Sequence, residues 1–220
     1  MGKSLIIKGA DFSQNGIVPD FIQLDWIEGS DTQGRGIVSN ILNKNTLSVE
    51  WTFTCWKDSS ATTRQVSTYL PGNAINVNSG ITGWSKNGAI TVNWGNGTHD
   101  FSSVYDNAKH IVFSSKAKMK LDNTEYVPET QPTWSSGSNY MGLDCRYTWG
   151  SGAVINRLIE FPSYSKIKIH GIKIWDGETL VLDVIPVKRT ADNVVCFYDK
   201  VQDRYFERND GSTPVYGELS

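Results

Sequence analysis

The string Gln23-Leu24-Asp25-Trp26-Ile27-Glu28 places two carboxylates on one short segment. Retaining glycosidases need a nucleophilic carboxylate and a proton-donating carboxyl about 5 Å apart. A single strand of the form Glu-x-Asp-x-x-Glu can carry them, but here the first position is Gln23, which can neither attack a sugar nor protonate a leaving group. No catalytic role is expected for Asp25 or Glu28, and the chain is expected not to be an enzyme. His99, His110 and His170 lie in three separate segments, without the i, i+2 or i, i+4 spacing of a metal site. Cys145 lies between Asp144 and Arg146, which could tune a thiol, yet no base is placed beside it. Gly-x-Ser-x-Gly, Walker A and dinucleotide fingerprints are absent. The turns Asp199 to Asp203 and Asn209-Asp210-Gly211 offer the hard oxygen ligands that calcium prefers. Asp and Asn in such turns more often bond their own backbone, so Asp199, Asp203 and Asp210 are weak calcium candidates and no cofactor is expected.

Aromatic residues suggest a different chemistry. The 220 residues include eight tryptophans. Trp26 and Trp51 lie in apolar strand-like runs and are expected in the core. Trp84, Trp134 and Trp149 lie among Gly, Ser, Asn and Thr, in loop-like surroundings, with Asn139 and Tyr140 nearby. Rings in such settings stack on the C–H faces of sugars while short polar side chains bond the hydroxyls. The same rings could equally fill the ends of a sandwich or form subunit contacts, where Trp and Tyr are also enriched.

These side chains must be held by strands. Leu47, Val49, Trp51, Phe53 and Cys55 alternate with Ser48, Glu50, Thr52 and Thr54, which predicts a strand with one buried and one wet face. Similar alternation predicts strands over Ala89–Trp94, Ile111–Phe113 and Met119–Leu121, with a tight turn at Asp122-Asn123 before Glu125. In Lys166–Trp175, Ile167 and Ile169 are odd-numbered while Ile172 and Ile174 are even. The parity changes at His170-Gly171, which predicts a β-bulge at Gly171. Asp176-Gly177 predicts a hairpin to a strand over Thr179–Val187, whose end Pro186 should place at an edge or bulge. Short strands follow over Val194–Tyr198 and Arg204–Glu207. The sole helical candidate is a single turn around Val104–Ala108.

Composition agrees with one domain. Hydrophobic residues make up 39%, enough for a sizeable core, and 20 glycines suit the turns of many short strands. With 21 basic and 23 acidic residues the net charge is −2 and no basic stripe occurs, so nucleic acid is not an expected partner. Three scattered cysteines argue against a disulfide framework or zinc site. The N-terminus has no signal-peptide core and no stretch approaches a transmembrane span. The expectation is a protein made in a cytoplasm, without membrane insertion.

Leu24-Asp25-Trp26-Ile27-Glu28-Gly29-Ser30-Asp31-Thr32-Gln33 resembles the opening segment of concanavalin-like domains common in phage tail and structural proteins. Lys109–Phe113 followed by Met119–Asn123 resembles the central strand pair of laminin-G-like domains. Ile172-Lys173-Ile174-Trp175-Asp176, Leu180 to Arg189 and Phe197-Tyr198-Asp199-Lys200-Val201 are similar to the closing hairpins of the same family, and Phe206 and Asn209 match its final aromatic and Asn. Leu182 stands where that family usually has Arg. The terminal Gly-x-Gly-x-Phe becomes Gly211-Ser212-Thr213-Pro214-Val215, which puts the edge of the last strand in question.

The resemblance implies an all-β fold, a two-sheet antiparallel sandwich of concanavalin-like jelly-roll type over residues 21–220. Residues 1–20 would form an N-terminal arm or first strand. Ser4-Leu5-Ile6-Ile7-Lys8-Gly9-Ala10-Asp11-Phe12-Ser13 resembles a short N-terminal motif on virion proteins of phages that infect gut anaerobes. Leu5, Ile6, Ile7 and Phe12 would then anchor an arm that adds a strand to a neighbouring subunit. The implied role is a phage virion structural or adhesion protein on a fibre, tail or capsid surface. It would contact other virion proteins, further copies of itself (a trimer by analogy with fibres) and a host-surface glycan. Alternatives are a bacterial carbohydrate-binding module or surface lectin at the cell surface, its export signal removed, and a degenerate glycoside hydrolase.

Overall fold

The computed structural model describes residues 20–29, 36–42, 44, 46–56, 64–68, 81–85, 89–94, 97–103, 108–115, 117–127, 140–145, 155–157, 159–160, 166–208 and 211–219. All regular structure among them is strand. The first half contributes β1 (Phe21–Glu28), β2 (Gly36–Leu42), β3 (Leu47–Trp56), β4 (Arg64–Thr68), β5 (Ile81–Ser85), β6 (Ala89–Trp94) and β7 (Gly97–Ser103). In the middle lie β8 (Lys109–Ser114), β9 (Met119–Leu121), β10 (Thr124–Tyr126), β11 (Tyr140–Cys145), β12 (Ile155–Arg157) and β13 (Ile159–Glu160). The last stretch supplies β14 (Lys166–Asp176), β15 (Thr179–Arg189), β16 (Val195–Asp199), β17 (Arg204–Phe206) and β18 (Tyr216–Glu218). Of the expected helical turn, residues 104–107 lie outside the described residues, as do Leu5, Ile6, Ile7 and Phe12 of the expected arm.

Ten strands form one antiparallel sheet in the order β10-β9-β8-β3-β14-β1-β15-β16-β17, with β18 on β1. A second sheet runs β12-β11-β13-β4-β5 with β2 on β11, and β6 pairs with β7 alone. The second sheet departs from the antiparallel expectation, since β11 runs parallel to both β12 and β13.

Alternation decides which face of the main sheet is dry. Leu47, Val49, Trp51 and Phe53 of β3, Val112 of β8, Ile169, Ile172 and Ile174 of β14, Leu182 and Val184 of β15 and Phe197 of β16 share one buried cluster. Ile37 of β2 and Leu143 of β11 belong to it too, so residues of the second sheet help to close the same core. Trp51 and Phe53 stack at its centre, ring centroids 4.3 Å apart. Truncating either to Ala would cost about 3–5 kcal/mol, as for other large core aromatics. Behind β16 a smaller cluster of Val187, Cys196 and Tyr198, backed by Phe21 and Tyr205, buries that strand on its other face as well.

The expected hairpins form. Leu121 faces Thr124 across Asp122-Asn123, with Asp122 at φ 51°, and Asp176 faces Thr179 across Gly177-Glu178, with Gly177 at φ 62°. The β14 bulge forms too: Ile169 faces Phe53 and Gly171 faces Thr52, which leaves His170 as the extra residue. Pro186 does not end its strand. β15 continues to Arg189, and Pro186 falls between the last rung to β14 (Ile172 opposite Val184) and the first to β1 (Gln23 opposite Val187). A missing N–H in that interval interrupts neither ladder.

That interval marks a fork. β14 and β15 separate beyond Ile172 and Val184, and β1 lies across the opening, Ile27 and Glu28 along β14 and Phe21–Gln23 along β15. β1 is itself bulged. Leu24 faces Glu218 and Trp26 faces Gly217, so Asp25 is the extra residue. The bulge lets Leu24 and Ile27, three positions apart, both enter the core. It also turns Trp26 to the outer face, against the expectation of a core residue; there it lies under Lys168, whose Nζ is 4.3 Å from the ring centroid.

Candidate functional site

The outer face of the main sheet is built by the residues that alternation excludes from the core. Glu50 of β3 stands between Phe113 of β8 and Lys173 of β14, and Thr52 stands between Ile111 and Gly171. Ser48 faces Trp175 and is too short to separate it from Phe113, so the two rings come to 6.3 Å between centroids. Two adjoining hollows open on this face. One of about 410 Å³ is lined by Glu50, Ile111, Phe113, Lys120, Asp122 and Asn123. The other, of about 180 Å³, is lined by Glu50, Thr52, Lys173, Asp183, Ile185 and Lys200 among others, so Glu50 belongs to both.

The polar groups of this groove are held in place. Lys173 Nζ lies 3.3 Å from Glu50 and Lys200 Nζ lies 2.6 Å from Asp183. Asp122 accepts the Ile111 N–H at 2.8 Å and contacts His110 Nδ1 at 2.8 Å, which fixes its turn at the groove's edge. The more exposed of the two lysine pairs, Lys173 with Glu50, adds little stability. The value of the pairs is positional: donors and acceptors stand beside an apolar strip whose Ile111 is 46% exposed.

At one end of the groove lies the fork. The main-chain oxygen of Asp25 can only accept, so His170 Nδ1 carries a hydrogen and donates to it at 2.8 Å. Nε2 is then the acceptor for the Thr54 hydroxyl at 2.9 Å. Burial holds the His170 pKa below the usual histidine value, the backbone bond to Asp25 opposing it, which keeps the ring neutral. Burial raises the Asp25 pKa, but hydrogen bonding to Lys109 at 2.8 Å, the charge that His170 gains only in the acid range where carboxylates titrate, and the charge of Lys109 more than reverse this, so Asp25 stays ionised. Hydroxyl, imidazole and carboxylate thus follow the order used in acyl-transfer sites. The imidazole bonds the Asp25 main chain more closely than the Asp25 carboxylate, which is 3.2 Å away. Thr54, predicted on the wet face, is 9% exposed because the fork covers it.

The sequence-predicted site residues are not gathered into one place. Trp84 lies on β5 opposite Gln65, a strand and not the loop its neighbours suggested. Tyr140 opens β11 opposite Leu42 and Ile155. Trp134, Asn139, Trp149 and Asp210 lie outside the described residues. Asp199, through Oδ1, and Asp203 accept from protein donors. The Asp183 and Val201 N–H groups donate to Asp199 Oδ1, each at 3.0 Å, and the Tyr198 hydroxyl donates to Asp203 at 2.6 Å. Among the described residues no group of three or more His, Cys, Asp or Glu is placed to hold a metal ion.

The groove residues were visible individually but not as a set. Alternation assigns Glu50 and Thr52 to the wet face; the neighbours that complete the groove, Phe113 and Lys173, come from strands that the sequence does not place on either side of β3. Comparison with protein-family models, curated proteins and solved structures finds no match to the chain.

Proposed function

We propose that the chain is a non-enzymatic adhesion or structural protein of a phage virion, a concanavalin-like two-sheet sandwich that binds a surface glycan through the outer face of its main sheet. The observation that carries the glycan contact is the Phe113–Trp175 pair beside Glu50, two partly buried rings next to the exposed Ile111 and bordered by fixed donors and acceptors. Sugar recognition needs that combination: C–H faces stack on rings while hydroxyls exchange hydrogen bonds. The sandwich reading is supported by Ile37 and Leu143, which bring the second sheet into the core of the first. The virion setting rests on the sequence resemblance of the opening and closing segments. Several copies on one particle would compensate for weak single-site binding by raising the effective concentration. A glycan array combined with a particle-mass measurement on the purified chain tests the proposal. Binding to a defined set of glycans by an oligomer is the expected result; a stable oligomer that binds no sugar would leave only the structural role.

A further inference from the structure

We infer that the outer-face groove takes a neutral, extended oligosaccharide rather than an acidic one, an inference that rests on the glycan-binding reading above. The described residues lining the two hollows include three carboxylates, Glu50, Asp122 and Asp183, and three ammonium groups, Lys120, Lys173 and Lys200. Among the described residues the groove floor is therefore charge-balanced, and these residues exert no net pull on a polyanion or a polycation. Two of the lysines already sit against carboxylates of the same groove, Lys173 on Glu50 and Lys200 on Asp183. A uronate or sulfate would have to displace Glu50 or Asp183 to take those cations, at the cost of leaving a carboxylate unpaired. A neutral hydroxyl need displace nothing, since an ion-paired carboxylate keeps acceptor sites and an ammonium has three donors.

The length of the ligand follows from the sheet. The lining residues run from Lys120 on β9 through β8, β3 and β14 to Asp183 on β15. Four strand spacings amount to about 19 Å, which suits a chain of several sugar rings better than a monosaccharide. Glu50, shared by both hollows, is the residue such a chain crosses midway.

Calorimetry on the full chain with neutral gluco-, manno- and galacto-oligosaccharides, set against uronate and sulfated oligosaccharides, tests this. The expected result is binding confined to the neutral series and strengthening with chain length, weakened at least tenfold by Glu50→Gln and unchanged by Val215→Ser on exposed surface outside the groove. Amide chemical-shift mapping on the unaltered protein serves as a second readout, with Ile111, Lys120, Asn123 and Gly171 expected to shift together. Preference for acidic chains, or neutral binding that leaves those amides unmoved and survives Glu50→Gln, would overturn the inference while leaving glycan binding intact. Binding of no oligosaccharide in either series would overturn both.

Discussion

His170 and Asp25 are the extra residues of two separate β-bulges, and they meet: the imidazole Nδ1 lies 2.8 Å from the Asp25 main-chain oxygen. The bulge in β1 leaves the Asp25 main-chain oxygen outside its ladder, and at the fork of β14 and β15 the ring of the other bulge's extra residue satisfies it. Because burial lowers the His170 pKa, the folded protein prefers the neutral ring and the unfolded chain binds the proton more readily. Stability is therefore full above the ordinary histidine value of about 6.5 and is lost as pH falls through the lower folded value. Thermal unfolding between pH 8 and pH 5 should show the midpoint falling below about pH 6.5. His170→Gln should cost about 1–3 kcal/mol at pH 8 through its buried hydrogen bonds and flatten that part of the pH profile. An unchanged pH profile in the variant would show that other groups titrate.

Gly217 lies opposite Trp26, and a Cβ there would come within 2.2 Å of Trp26 Nε1. The indole lies over β18 because position 217 has no side chain. Gly217→Ala should force the ring out from under Lys168 and cost about 1–3 kcal/mol. In a Trp26→Ala background the same substitution should cost little. A double-mutant cycle by denaturant unfolding measures the coupling, and additive losses would refute the contact as its cause.

The bulge at His170 was legible because Ile167 and Ile169 differ in parity from Ile172 and Ile174, and no apolar residue blurs the switch. The bulge at Asp25 was not. Leu24 and Trp26 share a parity and are both apolar, so they read as one buried face, and only the register against Gly217 separates them. The strands around Leu47–Phe53 and the two tight hairpins were readable for the same reason, since local alternation and turn residues fix them. The fork depends on β1 meeting β14 and β15 across the whole middle of the chain, Ile27 opposite Ile169 and Phe21 opposite Arg189, and no local pattern encodes that pairing. Nor did local sequence mark the groove: Phe113 reads as an ordinary strand residue until β8 and β14 are known to flank β3.

Cys196 is buried between Val187 and Tyr198, and burial pushes its thiol pKa up to about 12. Only the thiolate reacts readily, so this cysteine should be inert in the folded state. Iodoacetamide at pH 8, followed by peptide mass mapping, should leave Cys196 unmodified in native buffer and alkylate it in denaturant. Native-state alkylation at a rate near that of a free thiol would show that the cluster behind β16 opens.

Ser114 lies on the core face opposite Val49, fully buried, and its hydroxyl has no hydrogen-bond partner among the described residues. A buried hydroxyl without a partner costs more than it returns. Ser114→Ala should leave the protein as stable or raise its melting temperature by about 2–4 °C, the shift that ~1 kcal/mol produces in a chain of this length. A clear drop would mean that the hydroxyl bonds something the described residues do not include.

Asp199 poses the same question with a charge. Its Oδ1 accepts two backbone N–H groups, while Oδ2 is buried without a partner among the described residues. Burial raises the carboxyl pKa, so the folded state holds that proton more tightly than the unfolded chain does. Its contribution is full below the unfolded value near 3.8 and is lost as pH rises through the folded value, which leaves an ionised, poorly solvated carboxylate at neutral pH. Asp199→Asn keeps the Oδ1 acceptor and removes the charge. It should melt above the wild type at pH 7, with the advantage shrinking as pH approaches 4. The opposite result, a variant less stable at pH 7 and a wild type that loses the same increment on chelation with EDTA, would mean that a cation occupies Oδ2.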